Sequence, residues 1–142
     1  MRAFKHAGLR PLHIALWSDA AGYDIKLPGP PIDRIEVKAA SAATRGSFRL
    51  TRNEFEKCKL FREEWRVIQV VFSNSAFIDE IITNDHVLAV YEISNEVIVD
   101  LAPADSAGFK WTEAAQFKPP ADAWRPFVIA PDPTFSARGF GG

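Results

Sequence analysis

The chain has 142 residues, 47% apolar and 25% charged, with a net charge of −1, the make-up of one domain with a real core. Its single cysteine, Cys58, excludes an internal disulfide and points to a reducing compartment, so a cytoplasmic location is expected. No apolar run approaches a membrane span, and Met1-Arg2-Ala3-Phe4-Lys5-His6 lacks the apolar stretch of a signal peptide, so no membrane partner is expected.

Near-neutrality argues against a strong nucleic-acid binder, but the charge is unevenly placed. Residues 1–66 hold 13 Lys/Arg against 8 Asp/Glu, and residues 67–142 hold 4 against 10. Such a distribution either sets a basic face beside an acidic one or reflects scattered solvated side chains.

Residues 1–9 show no period, so no helix is expected ahead of the first strand. Arg10–Trp17 reads as a strand, with Pro11 at its start. Ser18–Gly22 is a turn. Tyr23–Leu27 and Asp33–Lys38 then alternate with period two around Pro28-Gly29-Pro30-Pro31, which is a β-hairpin. Tyr23, Ile25 and Leu27 are expected on one face of the first arm, with Ile35 and Val37 on one face of the second. Ala39–Gly46 reads as a mobile loop and Ser47–Leu50 as a short strand. Thr51-Arg52-Asn53-Glu54 has the form of a capping box opening a helix to about Glu64, with Phe55, Cys58, Phe61 or Arg62, and Trp65 marking its inner face. Arg66–Phe72 is nearly continuous apolar and β-branched sequence, the mark of a strand buried on both faces. Strand, helix and buried strand imply a parallel crossover within a mixed sheet.

Ala76–Ile82 fits a helix or a strand, with helix preferred. His86–Ile93 and Glu96–Leu101 read as two strands, and Phe109–Phe117 as a last one. From Lys118 the character changes: five of the ten prolines and three of the eight glycines fall in the last 24 residues. The expected division is a domain over 1–118 and a Pro/Gly-rich tail over 119–142, an extended or wrapping arm that Trp124, Phe127, Phe135 and Phe140 pin to the domain or to a partner.

If the hairpin turn centres on Pro30, Asp24 faces Glu36 and Lys26 faces Arg34. Like charges set opposite one another destabilise a sheet. Two carboxylates so placed make a hard-oxygen site for a divalent cation, and Lys38 lands on the same face as Glu36. The bland reading is the solvated face of an edge hairpin. Arg45, Arg49 and Arg52 follow closely and are candidates for phosphate contact, or ordinary surface arginines. Thr51 and Glu54 suit a helix cap better than a catalytic pair. Asn53 sits in the first helical turn, where backbone N–H groups can meet an anion. His6, His13 and His86 are scattered, so no zinc site is expected.

Gly22-Tyr23-Asp24-Ile25, Ile35-Glu36-Val37-Lys38 and Leu50-Thr51-Arg52-Asn53-Glu54 together resemble the NO VEIN C-terminal domain family, over about residues 12 to 75, and more broadly the PD-(D/E)xK nuclease superfamily. The resemblance implies a restriction-endonuclease-like α/β (α+β) fold, a mixed sheet with flanking helices. It also implies a metal-dependent endonuclease acting on DNA, in restriction or defence, with a larger ATPase or defence complex as partner. Asp24, Glu36 and the backbone carbonyl of Val37 would hold Mg²⁺ or Mn²⁺, Lys38 would orient water or stabilise charge, and Thr51, Asn53 and Glu54 would support them. One departure stands out. The superfamily carries a helix before its first core strand, with an acidic residue facing the metal, and here no acid precedes Asp19. The site is then incomplete, or the chain is a piece of a longer protein. The competing function is a non-catalytic module on the same fold, binding nucleic acid or docking a partner through its tail.

Overall fold

The computed structural model describes residues 1–14, 19–106 and 110–140. A six-stranded mixed sheet forms its centre. Its strands, in chain order, are β1 (Leu12–His13), β2 (Ile25–Leu27), β3 (Asp33–Ser41), β5 (Trp65–Phe72), β7 (Val87–Ser94) and β9 (Arg125–Pro126), which is also their order across the sheet. Only β3 and β5 run parallel; the other neighbours are antiparallel. Between β3 and β5 the chain makes β4 (Phe48–Thr51) and helix α2 (Arg52–Phe61), preceded at the N-terminus by α1 (Arg2–His6). After β7 come α3 (Asn95–Leu101) and β8 (Ala114–Phe117), which pairs with β4. A third small sheet joins β6 (Ile81–Thr83) to β10 (Ser136–Arg138).

The hairpin register is the expected one: Ile25 pairs with Ile35 and Lys26 with Arg34. Its charged face, however, is not solvated. Because β3 also pairs with β5, Glu36 lies beside Val67 and Lys38 beside Gln69. Alternation therefore turns Glu36 and Lys38 toward the side where α2 packs. The core on that side contains Leu50, Phe55, Cys58, Trp65, Val67 and Ile98. On the opposite side Ile35 and Ile68 meet Ile25, Phe4 and the partly buried Phe127. Tyr23 leaves the expected face and packs with the first cluster, edge-on to Phe61. Gly22 just before it adopts φ +75°, so the strand alternation does not extend through Tyr23.

Four expectations are corrected. A five-residue helix, α1, does precede the first strand, with no acid in its first turn; one apolar residue, Phe4, is all it buries, too little to show a period. Ala76–Ile82 is not a helix: Asn74–Phe77 is a 3₁₀ turn and Ile81–Thr83 a strand. Its ladder comes from β10, more than fifty residues away in sequence, where local pattern cannot see it. Glu96–Leu101 is not a strand but helix α3; its β-branched residues suggested extension, but burial of Ile98 against the α2 side decides. The loop after β3 starts at Ala42 rather than Ala39, and the Gln69 side chain ties it down, accepting from Gly46 N (2.9 Å) and donating to Ser47 O (2.8 Å). Residues 15–17 of the expected first strand, and Phe109 of the expected last one, lie outside the described residues.

Beyond Lys118 the chain returns to the domain. Trp124 packs edge-on to Phe48, β9 joins the sheet beside β7, Phe127 meets Phe4, and Phe140 meets Phe72 and Phe77.

Candidate active site

Three short segments converge beneath the N-terminus of α2. The first is aimed by Gly22. Its carbonyl accepts the buried indole N–H of Trp65 at 2.9 Å, and a Cβ at Gly22 would lie 2.4 Å from Lys57 Cγ of α2. Asn53 fixes the same turn, its Nδ2 donating to Ala20 O at 3.0 Å. Glycine is needed here both for its φ and for close packing. Two residues on, Asp24 is held from both sides: its N–H donates to Ile35 O (2.9 Å) and its carbonyl accepts from Ile14 N (2.8 Å). Its carboxylate Oδ2 accepts the Val37 N–H at 2.8 Å.

The second segment is the middle of β3. Glu36 is only 5% exposed. Lys38 Nζ lies 3.2 Å from Glu36 Oε1 and 3.2 Å from Glu54 Oε1. The third segment is the capping box, present in both halves: Glu54 N donates to Thr51 Oγ1 at 3.1 Å, and Thr51 N donates to Glu54 Oε1 at 2.9 Å. One oxygen of Glu54 thus closes the cap and also receives Lys38. Glu54 was expected as a supporting residue; the structure makes it a direct member of the Glu36–Lys38 group.

Burial pushes the Glu36 carboxyl up to about 9, helped by the hydrogen bond it donates to Glu54 and by the nearby charges of Glu54 and Asp24; Lys38 pulls the other way. Burial opposes ionisation of Glu54 too, but the Glu36 proton, the Thr51 N–H and Lys38 outweigh it, and its pKa lies below the ordinary value. The two shifts run in opposite directions: the surroundings favour the proton on Glu36 and the charge on Glu54.

The arginines fall in different surroundings. Arg52 is held by both oxygens of Asp105 (2.7 and 3.0 Å) and by Glu56, and lies over the Trp111 ring. Its guanidinium is a strut between α2 and the segment before β8. Arg45 is exposed and donates to the Tyr91 hydroxyl at 2.5 Å, and Arg49 is exposed on β4. Cys58 is fully buried, and burial pushes its thiol up to about 12, which suits packing and not nucleophilic chemistry. Trp65, Gln69 and Tyr91, which hold the turn, the loop and Arg45, were missed by sequence reading. Trp65 was expected on the inner face at the end of the helix and opens β5 instead, and Gln69 sits in a strand whose apolar run drew attention to packing alone.

Among the described residues no group of three or more His, Cys, Asp or Glu side chains is gathered as a metal cage. A Mg²⁺- or Mn²⁺-like ion would have to be held by fewer protein groups than such a cage. One Asp24 oxygen is taken by Val37 and one Glu54 oxygen by Thr51 and Lys38. That leaves the other Asp24 oxygen as a hard donor, joined by the Glu36 carboxyl only if it gives up its contacts to Lys38 and Glu54; a small hard cation is typically bound through one or two carboxylates plus water and substrate phosphate. A buried proton between carboxylates is also what an incoming cation would displace.

A family model described as Protein NO VEIN, C-terminal, matches residues 13–81, and all three converging segments lie within that match. No curated protein and no solved structure matches the chain. No helix is long and apolar enough to cross a membrane.

Proposed function

Through residues 13–81 the chain belongs to the NO VEIN C-terminal family, and on that basis we propose that Asp24, Glu36 and Lys38 form a Mg²⁺- or Mn²⁺-dependent site that hydrolyses phosphodiester bonds in DNA. The observation that carries this reading is Glu36, 5% exposed and 3.2 Å from Lys38, beside a fixed Asp24. A fold does not bury such a group without a use as readily as it leaves one on the surface. A divalent ion would polarise a phosphoryl oxygen and lower the pKa of a bound water. Asp24 and Glu36 would hold it. Lys38, tethered by Glu54, would donate to a phosphate oxygen and stabilise charge that grows in the transition state. Work within a larger ATPase or defence complex is a further part of the proposal.

Metal-dependent cleavage of plasmid DNA tests it. Asp24→Asn, Glu36→Gln and Lys38→Ala are each expected to lower the rate about a hundredfold or more. Undiminished cleavage in all three would sink the assignment.

One observation favours a second reading. Lys38 already has two carboxylate partners at 3.2 Å, so the group is satisfied without a ligand. A non-catalytic module would bind DNA or a protein partner with no metal-stimulated cleavage, and, with the tail as its docking segment, would lose the partner when residues 119–142 are deleted.

A further inference from the structure

We infer that a recess between the Ala42–Ser47 loop and the C-terminal arm is a subsite for an unpaired nucleotide, taking its base on aromatic rings and its phosphate on two cations. The recess has a volume of about 440 Å³ and is walled by Arg45, Gly46, Tyr91, Lys118 and Trp124. Arg45 and Lys118 are exposed, and no acidic side chain lines the recess among the described residues. Tyr91 and Trp124 meet edge-on, 6.5 Å between centroids at 66°. The Arg45 guanidinium lies 5.3 Å over the Tyr91 ring. Aromatic faces beside cations are how unpaired nucleic acid is bound without regard to sequence.

Two further observations point to an acceptor-rich ligand. The Trp124 indole N–H is buried with no hydrogen-bond partner, a costly state for a donor. The corner next to it is kept free of side chain: residue 46 is glycine at φ +85°, and a Cβ there would sit 4.0 Å from that nitrogen. A shift of the indole that opened this donor to the recess would offer it to a phosphate or base oxygen, in the recess that Arg45 and Lys118 also line.

The location gives the recess its meaning. Lys38 pairs with Gln69, and Gln69 with Tyr91. The three therefore form one row across one face of the sheet, and adjacent strands are about 4.8 Å apart, which sets Tyr91 about 10 Å from Lys38 at the backbone. Gln69, in the middle of the row, holds the Gly46–Ser47 backbone with both ends of its amide. The loop that carries Arg45 is thus pre-set, which lowers the ordering cost of binding. Gln69 itself is buried beneath the loop, so a strand running from Lys38 to the recess would pass over the Ala42–Ser47 loop. This placement relative to a scissile phosphate rests on the proposed nuclease reading; the binding itself does not.

The test is fluorescence anisotropy with a labelled short oligothymidylate, single-stranded or annealed to its complement, in EDTA so that cleavage plays no part. The wild type is expected to bind the single strand more tightly than the duplex, with affinity falling as salt rises. The exposed pair change Arg45→Glu/Lys118→Glu, and Tyr91→Leu, which keeps apolar bulk and removes the ring, should each weaken binding about tenfold or more. Thermal melts establish that each variant folds; should Tyr91→Leu not fold, the exposed pair decides alone. No binding by the wild type, preference for duplex, or full binding by the charge-reversed variant overturns the subsite. Single-strand binding that these changes weaken, in a protein that shows no metal-dependent cleavage, upholds the subsite and removes the nuclease reading.

Discussion

Glu36 is the most deeply buried acidic side chain among the described residues. Its carboxyl is buried on an interior strand and touches a lysine, and burial with Glu54 alongside pushes its pKa up. A carboxyl whose folded pKa lies above its unfolded value binds more protons when folded, so its contribution is fully present below about pH 4.5 and is lost as pH rises through about 9. Glu54 runs the other way: its lowered pKa gives stability above the ordinary carboxylate range that is lost as pH falls below it. Between these regions the Glu36 trend dominates. Thermal unfolding of Glu36→Gln against wild type should show the balance moving in favour of Gln as pH rises from about 5 to about 9. A difference that stays constant with pH would mean that Glu36 ionises normally. The identity of this residue was legible in the sequence, because like charges opposed in a hairpin need a reason. Its burial was not, because that depends on β3 being interior and on α2 lying above it.

At the scale of elements, the motif segments work as one assembly: the Gly22 turn, the middle of β3 and the first turn of α2 are joined by Trp65, Asn53 and the Thr51–Glu54 box. Gly22→Ala is expected to destabilise by about 1–2 kcal/mol or more from its left-handed backbone alone, with Lys57 also displaced. It should weaken Mn²⁺ binding as well, since Asp24 loses its aim. Urea denaturation checks the first effect and calorimetry the second; unchanged values in both would detach the turn from the site. Thr51→Ala should cost about 1 kcal/mol of stability through the lost cap. The hairpin, its register, the capping box and the parallel β3–β5 pair could be read locally because period, turn residues and cap chemistry are short-range. The strands β6 and β9 and the helix α3 could not, since distant partners or tertiary burial decide them.

For the molecule as a whole, part of the uneven charge is taken up in ion pairs. Arg52 pairs with Asp105 and Glu56, Arg66 with Asp33 and Glu92, and Arg34 with Glu64, so much of the positive half is held in ion pairs, some with the acidic half. The arm closes the same structure from its other end. At Gly139 the backbone N–H donates to Glu80 O at 2.8 Å, and a Cβ there would lie 1.9 Å from Asp79 O. Gly139→Ala should therefore detach β10 from β6, seen as faster amide exchange at Ile82 and Gly139 with little change at Glu36; exchange as slow as wild type at both would contradict that fit. The most direct test of the site is titration calorimetry with Mn²⁺ at neutral pH, in two buffers of different ionisation enthalpy, on wild type and on Asp24→Asn/Glu36→Gln. Mn²⁺ binding that releases about one proton per ion, and that disappears in the double variant, is the expected result. No binding to the wild type, or equal binding to the variant, would contradict a cation site at Asp24 and Glu36.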